Sequence, residues 1–257
     1  VIGTVTGRGF LKDFEMIRTE DLTKGFGSIV AVDKLNMEVE SGEFFSFLGP
    51  NGAGKTTTIK LLTGLLIPTA GRAFVNGVDV QVDPVGAKRA LGYIPDQPFL
   101  YEKLTGREFL RFVGGLYEMN PREVELKAEE FMEMFGVIDA ADLLVEEYSH
   151  GMKQKLSFSA AFLHEPRVVI VDEPWVGLDP KSIRFIKGYL REKVREGICV
   201  FMSTHTLSIA EELSDRVGII SGGRLIAVGS VGEIMALEAS RNFEDVFLEL
   251  TAEGDET

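Results

Sequence analysis

The sequence predicts an α/β fold: a parallel sheet covered by helices, preceded by strand-rich segments and interrupted by an inserted helical lobe. Three patterns carry that prediction. Apolar strand-like runs alternate with helix-period segments, as in "EFFSFL" before "KTTTIKLLTGLL" and "RVVIVDEP" before the segment from about Pro180 to Glu196. A glycine-rich stretch joins the first of these strands to its helix. Residues from about Asp96 to His164 read as mostly helical. A chain of 257 residues is long enough to bury one substantial core with an added lobe.

In chain order, "VIGTVTGRGFLKDF" lacks the apolar core of a signal peptide and is assigned no role. Because it begins with Val, the natural start is expected to be missing or unusual. Strands are expected in "EMIRTEDL", "IVAVDKLNMEVE" and "EFFSFL". The helix "KTTTIKLLTGLL" is expected to stop at Pro68, and Asn76-Gly77 in "RAFVNGVDV" signals a hairpin. "ALGYIP" is another buried strand. Asn120 caps a helix whose first residue is Pro121 and which runs to Gly136. Phe109 and Phe112, three apart, are expected in the core, and His164 at a helix end. "ICVFMSTH", "TLSIAEELSD" and a hairpin around Ser221-Gly222-Gly223-Arg224 follow. "RNFEDVFLELTAEGDET" closes the chain as an amphipathic stretch with an acidic tail. The expected organisation is an extension (1–14), an α/β core (15–95 and 165–235), a helical lobe (96–164) and a tail (236–257).

Composition bounds the function. The chain is 45% hydrophobic and 26% charged, an ordinary globular balance. Its net charge of -13 argues against nucleic acid as the main partner, because phosphate backbones need clustered Lys and Arg. The single cysteine, Cys199, excludes an internal disulfide and a Cys-rich metal site, which fits a reducing compartment. No run of about 18 apolar residues is present, so the chain reads as soluble and cytoplasmic.

The stretch Gly49-Pro50-Asn51-Gly52-Ala53-Gly54-Lys55-Thr56 fits G-x-x-x-x-G-K-[ST] between a strand and a helix, the context of a P-loop. A chance match in such a chain is on the order of one per cent. Its backbone N–H groups and the helix start suit phosphates, Lys55 would reach the β- and γ-phosphates, and the Thr56 hydroxyl would ligate Mg²⁺. Asp172 and Glu173 end the strand in "RVVIVDEP", where an open α/β sheet meets its ligand crevice. There Asp172 is placed to hold Mg²⁺ and Glu173 to polarise the attacking water. Two adjacent carboxylates beside a polyphosphate repel one another without a metal.

The ordered set "GPNGAGKTT", "GYIPDQPFLYEKLT", "YSHGMKQKL", "VVIVDEP", "GLDP" and "STH", spanning about residues 16 to 235, resembles the ATPase subunits of ATP-binding cassette (ABC) transporters. The resemblance implies a P-loop, RecA-like core with an N-terminal antiparallel β-subdomain and an inserted α-helical subdomain. Thr57 joins the phosphate-binding set. "YSHGMKQ" stands where the family has its signature, Leu-Ser-Gly-Gly-Gln: Ser149 and Gly151 are kept, while Tyr148, His150 and Met152 depart from it. In the family this helix start contacts the γ-phosphate held by a second copy. His205 matches the switch histidine, and Asp179 lies in the loop linking the two ATP sites. Phe26 stands where an aromatic stacks on adenine. Asp96 or Gln97 fills the place of the glutamine between the lobes, sensing Mg²⁺ or the attacking water.

By the same resemblance, Phe99, Leu100 and Tyr101 are expected to border the groove that receives a short helix from a membrane partner. The implied partners are a second nucleotide-binding subunit, as a homodimer, and a polytopic membrane permease, with the chain peripheral on the inner face of the cell membrane. "FEDVFLEL" resembles the tails of exporter-type subunits of the drug, lipid or polysaccharide branch. Two alternatives stay open: a soluble ABC ATPase such as that of iron–sulfur cluster assembly, and a regulatory module that binds ATP and scarcely hydrolyses it.

Overall fold

The structure, a computed structural model, describes residues 15–236 and 242–252. The expected extension 1–14, and residues 237–241 and 253–257 of the expected tail, lie outside the described residues. Strands β1 (Glu15–Phe26) and β2 (Ile29–Glu40) pair antiparallel. Alternation along β2 puts Leu35, Met37 and Val39 inside, and an irregularity at Lys34, with φ 47°, brings Val32 to the same side three residues earlier. On the other edge of β1 lies β4 (Ala70–Val75), antiparallel, followed by the short β5 (Val78–Asp79), so the sheet order is β2-β1-β4-β5. Asn76 and Gly77 join β4 to β5 with φ of 49° and 75°. This left-handed pair matches the twist of a two-residue hairpin.

The second sheet is built from strands far apart in the chain. β3 (Phe44–Leu48), β6 (Leu91–Ile94), β7 (Val168–Asp172) and β8 (Cys199–Thr204) run parallel, β9 (Arg216–Ser221) runs parallel to β3, and β10 (Arg224–Gly229) closes one edge antiparallel. The order is β10-β9-β3-β8-β7-β6. Every residue of β3, β7 and β8 is buried, as parallel strands covered on both faces require. Phe44, Val169, Val171, Val200 and Met202 face one core. Phe45, Phe47, Val168, Ile170 and Phe201 face the other, shared with the antiparallel sheet.

Helix α1 (Lys55–Leu62) follows β3 and ends earlier than expected. Gly64, at φ 66°, turns the chain left-handed, and the Leu65 and Leu66 amides both bond the Lys60 carbonyl, so the stop precedes Pro68. A short α2 (Pro84–Arg89) leads into β6. Between β6 and β7 lie α3 (Gly106–Leu116), α4 (Pro121–Met134), two 3₁₀ turns and α5 (His150–Phe162). Thr105 and Glu108 form a capping box on α3, and Asn120 accepts from the Arg122 amide at 2.9 Å to start α4. Phe109 is buried, but Phe112 stands at the margin of the apolar stripe, where its ring meets Tyr101 edge-on at 4.9 Å, and it is partly exposed. The expectation of two core phenylalanines holds for Phe109 alone.

His164, just past α5, stacks on Tyr117 at 3.6 Å, and its Nε2 lies 3.2 Å from the Leu91 carbonyl. Burial lowers its pKa to about 4, so the ring is neutral and serves as a packed tie between α3 and β6. Helices α6 (Pro180–Arg195) and α7 (Leu207–Leu213) flank β8 in sequence, and α8 (Val231–Met235) and α9 (Phe243–Ala252) follow β10. No helix among the described residues is long and apolar enough to cross a membrane.

The core shared by the two sheets depends on Phe201, fully buried with ring centroids 5.8 Å from Phe45 and 5.4 Å from Phe47. Phe201→Ala is expected to cost about 3–5 kcal/mol in urea unfolding. A loss below about 1 kcal/mol would show that the site collapses around the smaller side chain.

Candidate active site

Residues 49–54 leave β3 and wrap over the start of α1. Gly54 has φ 109°, and a Cβ there would sit 2.4 Å from the Ala31 carbonyl oxygen, so this position takes glycine. It also leaves α1 without a side-chain cap. The first amides of the helix are therefore open to an anion, and the helix field favours one. Lys55 is buried, its ammonium donating to the carbonyls of Gly49 at 2.6 Å and Pro50 at 3.1 Å. An ammonium has three donors, so one N–H is left for a ligand oxygen. Burial lowers the Lys55 pKa, while the charges of Glu173 and Asp172 oppose that shift.

The sheet brings distant residues to this loop. Because β8 lies between β3 and β7, the end of β7 delivers Asp172 and Glu173 to the same cleft, of ≈ 360 Å³. Of the expected site residues, Asn51, Gly52, Gly54, Lys55, Thr56 and Thr57 line it on the loop side. Asp96, Asp172, Glu173 and His205 line it from the strand ends. Gly49, Pro50 and Ala53 form the frame of the loop and stand outside the lining, and Ala53 is buried. Gln97 stands outside it too: it is exposed, and its backbone N–H donates to Asp96 Oδ1 at 2.8 Å. Of the pair left open by the sequence, the cleft takes Asp96. Ala31, near the start of β2, also lines it and was missed, since one alanine in a strand carries no chemical signal.

Asp172 is buried and accepts a short hydrogen bond from Ser203 Oγ. Its pKa is raised, first by burial and then by repulsion from Asp96 and Glu173, with Ser203 and Lys55 pulling the other way. Glu173 has φ 45°, an uncommon conformation for a residue with a side chain, and its Oε1 lies 2.7 Å from His205 Nδ1. Magnesium fits this donor set. The Thr56 hydroxyl and Asp172 carboxylate are hard oxygen donors, and the crowded negative charge favours a cation between them and a polyphosphate. No group of three or more His, Cys, Asp or Glu set to hold a metal occurs among the described residues. The remaining oxygens would come from substrate phosphate and water, as is usual for this ion.

Phe26, Ser149, Gly151 and Asp179 are not in the lining of the cleft. Phe26 is half exposed, with the Lys24 ammonium 5.1 Å from its ring centroid. Ser149 caps α5, accepting from the Met152 amide at 3.3 Å. Asp179 caps α6, accepting from Ser182 N at 2.9 Å, and these bonds lower its pKa to about 2.

A P-loop at the end of a parallel strand, faced by two carboxylates at the end of β7, one strand removed across β8, defines a nucleotide-binding domain of the P-loop class. More narrowly, the chain belongs to the ABC transporter family, whose model matches residues 32–176. It is 37% identical over 234 residues to the "Probable multidrug ABC transporter ATP-binding protein YbhF" of Escherichia coli (strain K12), covering 91% of this chain and 40% of that protein. The chain thus spans well under half the length of that relative. It is 34% identical over 239 residues to the linearmycin resistance ATP-binding protein LnrL of Bacillus subtilis (strain 168), covering 93% of this chain and 76% of LnrL. Among solved structures, an ATP-binding subunit of an ABC transporter superposes with a TM-score of 0.86 at 33% identity, covering 92% of this chain and 99% of that one.

The raised pKa of Asp172 has a consequence for stability. A carboxyl raised in the folded state stabilises the fold below the ordinary carboxylate pKa, and that contribution is lost as pH rises through its folded value. Asp172→Asn is therefore expected to raise the melting temperature of the nucleotide-free chain at about pH 7, with the gain fading towards about pH 4. An unchanged or lowered melting temperature at neutral pH would contradict the electrostatic account.

Proposed function

We propose that this chain is the ATP-binding and ATP-hydrolysing motor subunit of a membrane exporter, working with a second nucleotide-binding subunit. The observation that carries the reading is the meeting of Lys55, Thr56, Asp172, Glu173 and His205 at one cleft in an ABC-family chain. The P-loop amides and Lys55 bind and orient the triphosphate. Glu173 accepts a proton from water as its oxygen attacks the γ-phosphorus, and ADP departs with the electron pair of the broken P–O bond. His205 orients Glu173 and faces the phosphate. Magnesium, held by Thr56 and Asp172, would neutralise charge on the phosphate oxygens. Asp96, which lines the cleft, would take the place between the lobes and sense the same ion or the attacking water.

Export is favoured by the named relatives, among them the bacitracin transport ATP-binding protein BcrA of Bacillus licheniformis, 39% identical over 212 residues and covering 82% of this chain and 68% of BcrA. The soluble-assembly alternative has no such support. Pairing of two subunits draws on the fold alone: a dimeric ATP-binding cassette bound to ADP and Pi matches with a TM-score of 0.76 at 24% identity, covering 84% of this chain and 98% of that one. In that reading Ser149 and Gly151 meet the nucleotide of the partner subunit, Phe26 stacks on adenine, and the dimer sits at the inner face of the cell membrane. The membrane subunit docks beside Phe99 and Tyr101, whose exposures of 87% and 60% leave an apolar edge next to Phe112 and Leu116. Next to it a cavity of ≈ 260 Å³, lined by Leu65, Leu91, Val113 and Tyr117 among others, offers an apolar floor.

Glu173→Gln is expected to bind ATP, to lose hydrolysis by about a hundredfold or more, and to accumulate as a dimer in ATP by light scattering. Hydrolysis at the original rate would remove the base assignment, and a monomer in ATP the pairing. Tyr101→Glu is expected to keep ATP turnover by the isolated chain within about twofold while abolishing co-purification with its membrane subunit. Undiminished co-purification would move the docking surface elsewhere.

A further inference from the structure

The start of α5 is clamped from two sides. On the lobe side Tyr148 is buried, its hydroxyl donates to the Ala140 carbonyl at 2.6 Å, and it fills the space where Gly106 lacks a Cβ. On the core side the His150 ring lies against Gly177, in the loop between β7 and α6. A Cβ on Gly177 would stand 2.4 Å from His150 Cδ2, and one on Gly151 would stand 2.5 Å from the Gly177 carbonyl oxygen. Glycine at both positions is what lets helix start and loop touch, and Gly177, at φ 77°, also needs the left-handed region. One turn along α5, Lys155 lies 3.7 Å from Asp179, the residue that ends this loop and caps α6.

The backbone of the loop has few ties, the Glu173 amide bonding the Ser203 carbonyl at 3.2 Å and the Leu178 amide the Trp175 carbonyl at 3.3 Å. The Glu173 carboxylate meets His205, and the Trp175 and Leu178 side chains rest partly buried on the core cluster. Val176 is exposed. A loop so lightly tied takes its position from what it packs against, and His150 supplies a flat ring at its midpoint.

We propose that His150 is a positioning residue that locks the loop of residues 173–179 onto the start of α5, so that Ser149 and Asp179 meet a second copy as one edge. This rests on the dimer reading above and deepens it. Two of the three departures from the family's signature then have a role: Tyr148 fastens the helix start to the lobe, and His150 fastens the loop to the helix start. Glu173 opens the same loop, so a nucleotide engaged by the helix start of one subunit is linked to the base of that subunit's own site. The imidazole acts by packing, and charge plays no part.

The test uses the full chain with Val176→Cys carrying a nitroxide. Cys199 is fully buried in β8, so the label goes to the introduced thiol. His150→Gly is expected to raise label mobility in the nucleotide-free chain. It should also lower kcat for ATP about tenfold while KM stays within about twofold, because the P-loop contacts are untouched. His150→Phe, which keeps a flat ring without imidazole chemistry, is expected to restore both label immobility and kcat to within about threefold. Unchanged mobility in His150→Gly overturns the lock. A His150→Phe chain as slow as His150→Gly overturns it in favour of direct phosphate contact by the imidazole. Failure of Glu173→Gln to dimerise in ATP overturns the dimer reading and with it the cross-subunit role. The label reports the loop contact within one chain separately from that failure.

Discussion

The cleft is organised around a concentration of negative charge that the polypeptide does not neutralise by itself. Asp172 is buried at the end of β7, with Glu173 next to it and Asp96 across from it, and all three line one cleft with the Lys55 ammonium. Burial in low dielectric makes this arrangement costly, and the raised pKa of Asp172 records that cost. Stability alone would place apolar residues there, as in the rest of β7, where four valine and isoleucine side chains precede the acid. The carboxylates make chemical sense when a cation and a polyphosphate enter between them and the P-loop. The strained backbone of Glu173 fits the same logic, since an uncommon conformation persists where the surroundings hold it.

Three helix starts, of which only that of α1 borders the cleft, treat their free amides differently. At α1 the cap position is glycine and no side chain competes for the amides, so they are available to phosphate. At α6 the Asp179 side chain accepts from both the amide and the hydroxyl of Ser182, so a carboxylate caps this helix. At α5 Ser149 is intermediate: its bond to the Met152 amide is long, at 3.3 Å, which leaves the hydroxyl easier to recruit. The same element, a helix N-terminus, is thus tuned by one residue at the cap.

The helical lobe and the core share one apolar cluster, in which Phe135 touches Phe131, Phe158, Phe185 and Tyr189 while Val169, Val171, Val200 and Met202 come from the sheet. The lobe is therefore anchored by packing as well as by its chain connections. His164, neutral and stacked on Tyr117, adds a tie at the β6 end, and Tyr148 and His150 hold the α5 start. Movement of the lobe must pass through these contacts.

Much of this was legible in the sequence because it depends on local order. Period-two and helical patterning, the Asn76-Gly77 turn, the Asn120 cap and the P-loop all act over a few residues, so neighbouring letters carry the signal. Other features were decided by tertiary structure. Helix α1 stops at Gly64 because the left-handed turn there competes successfully with the pattern that ran on to Pro68. Phe112 lies outside the core because Tyr101, from the preceding loop, meets it at the surface. Asp96, and not Gln97, lines the cleft because the chain bends at these two residues just after β6, with the Gln97 backbone N–H turned back onto the Asp96 carboxylate. Ala31 enters the cleft because the antiparallel sheet lays β2 over the phosphate loop. Lys55 and Asp172 are more than a hundred residues apart, and their meeting is set by the order β3-β8-β7, which strand pairing across the whole chain determines. Residue types and spacing named the chemistry, and the sheet order supplied the distances at which it can occur.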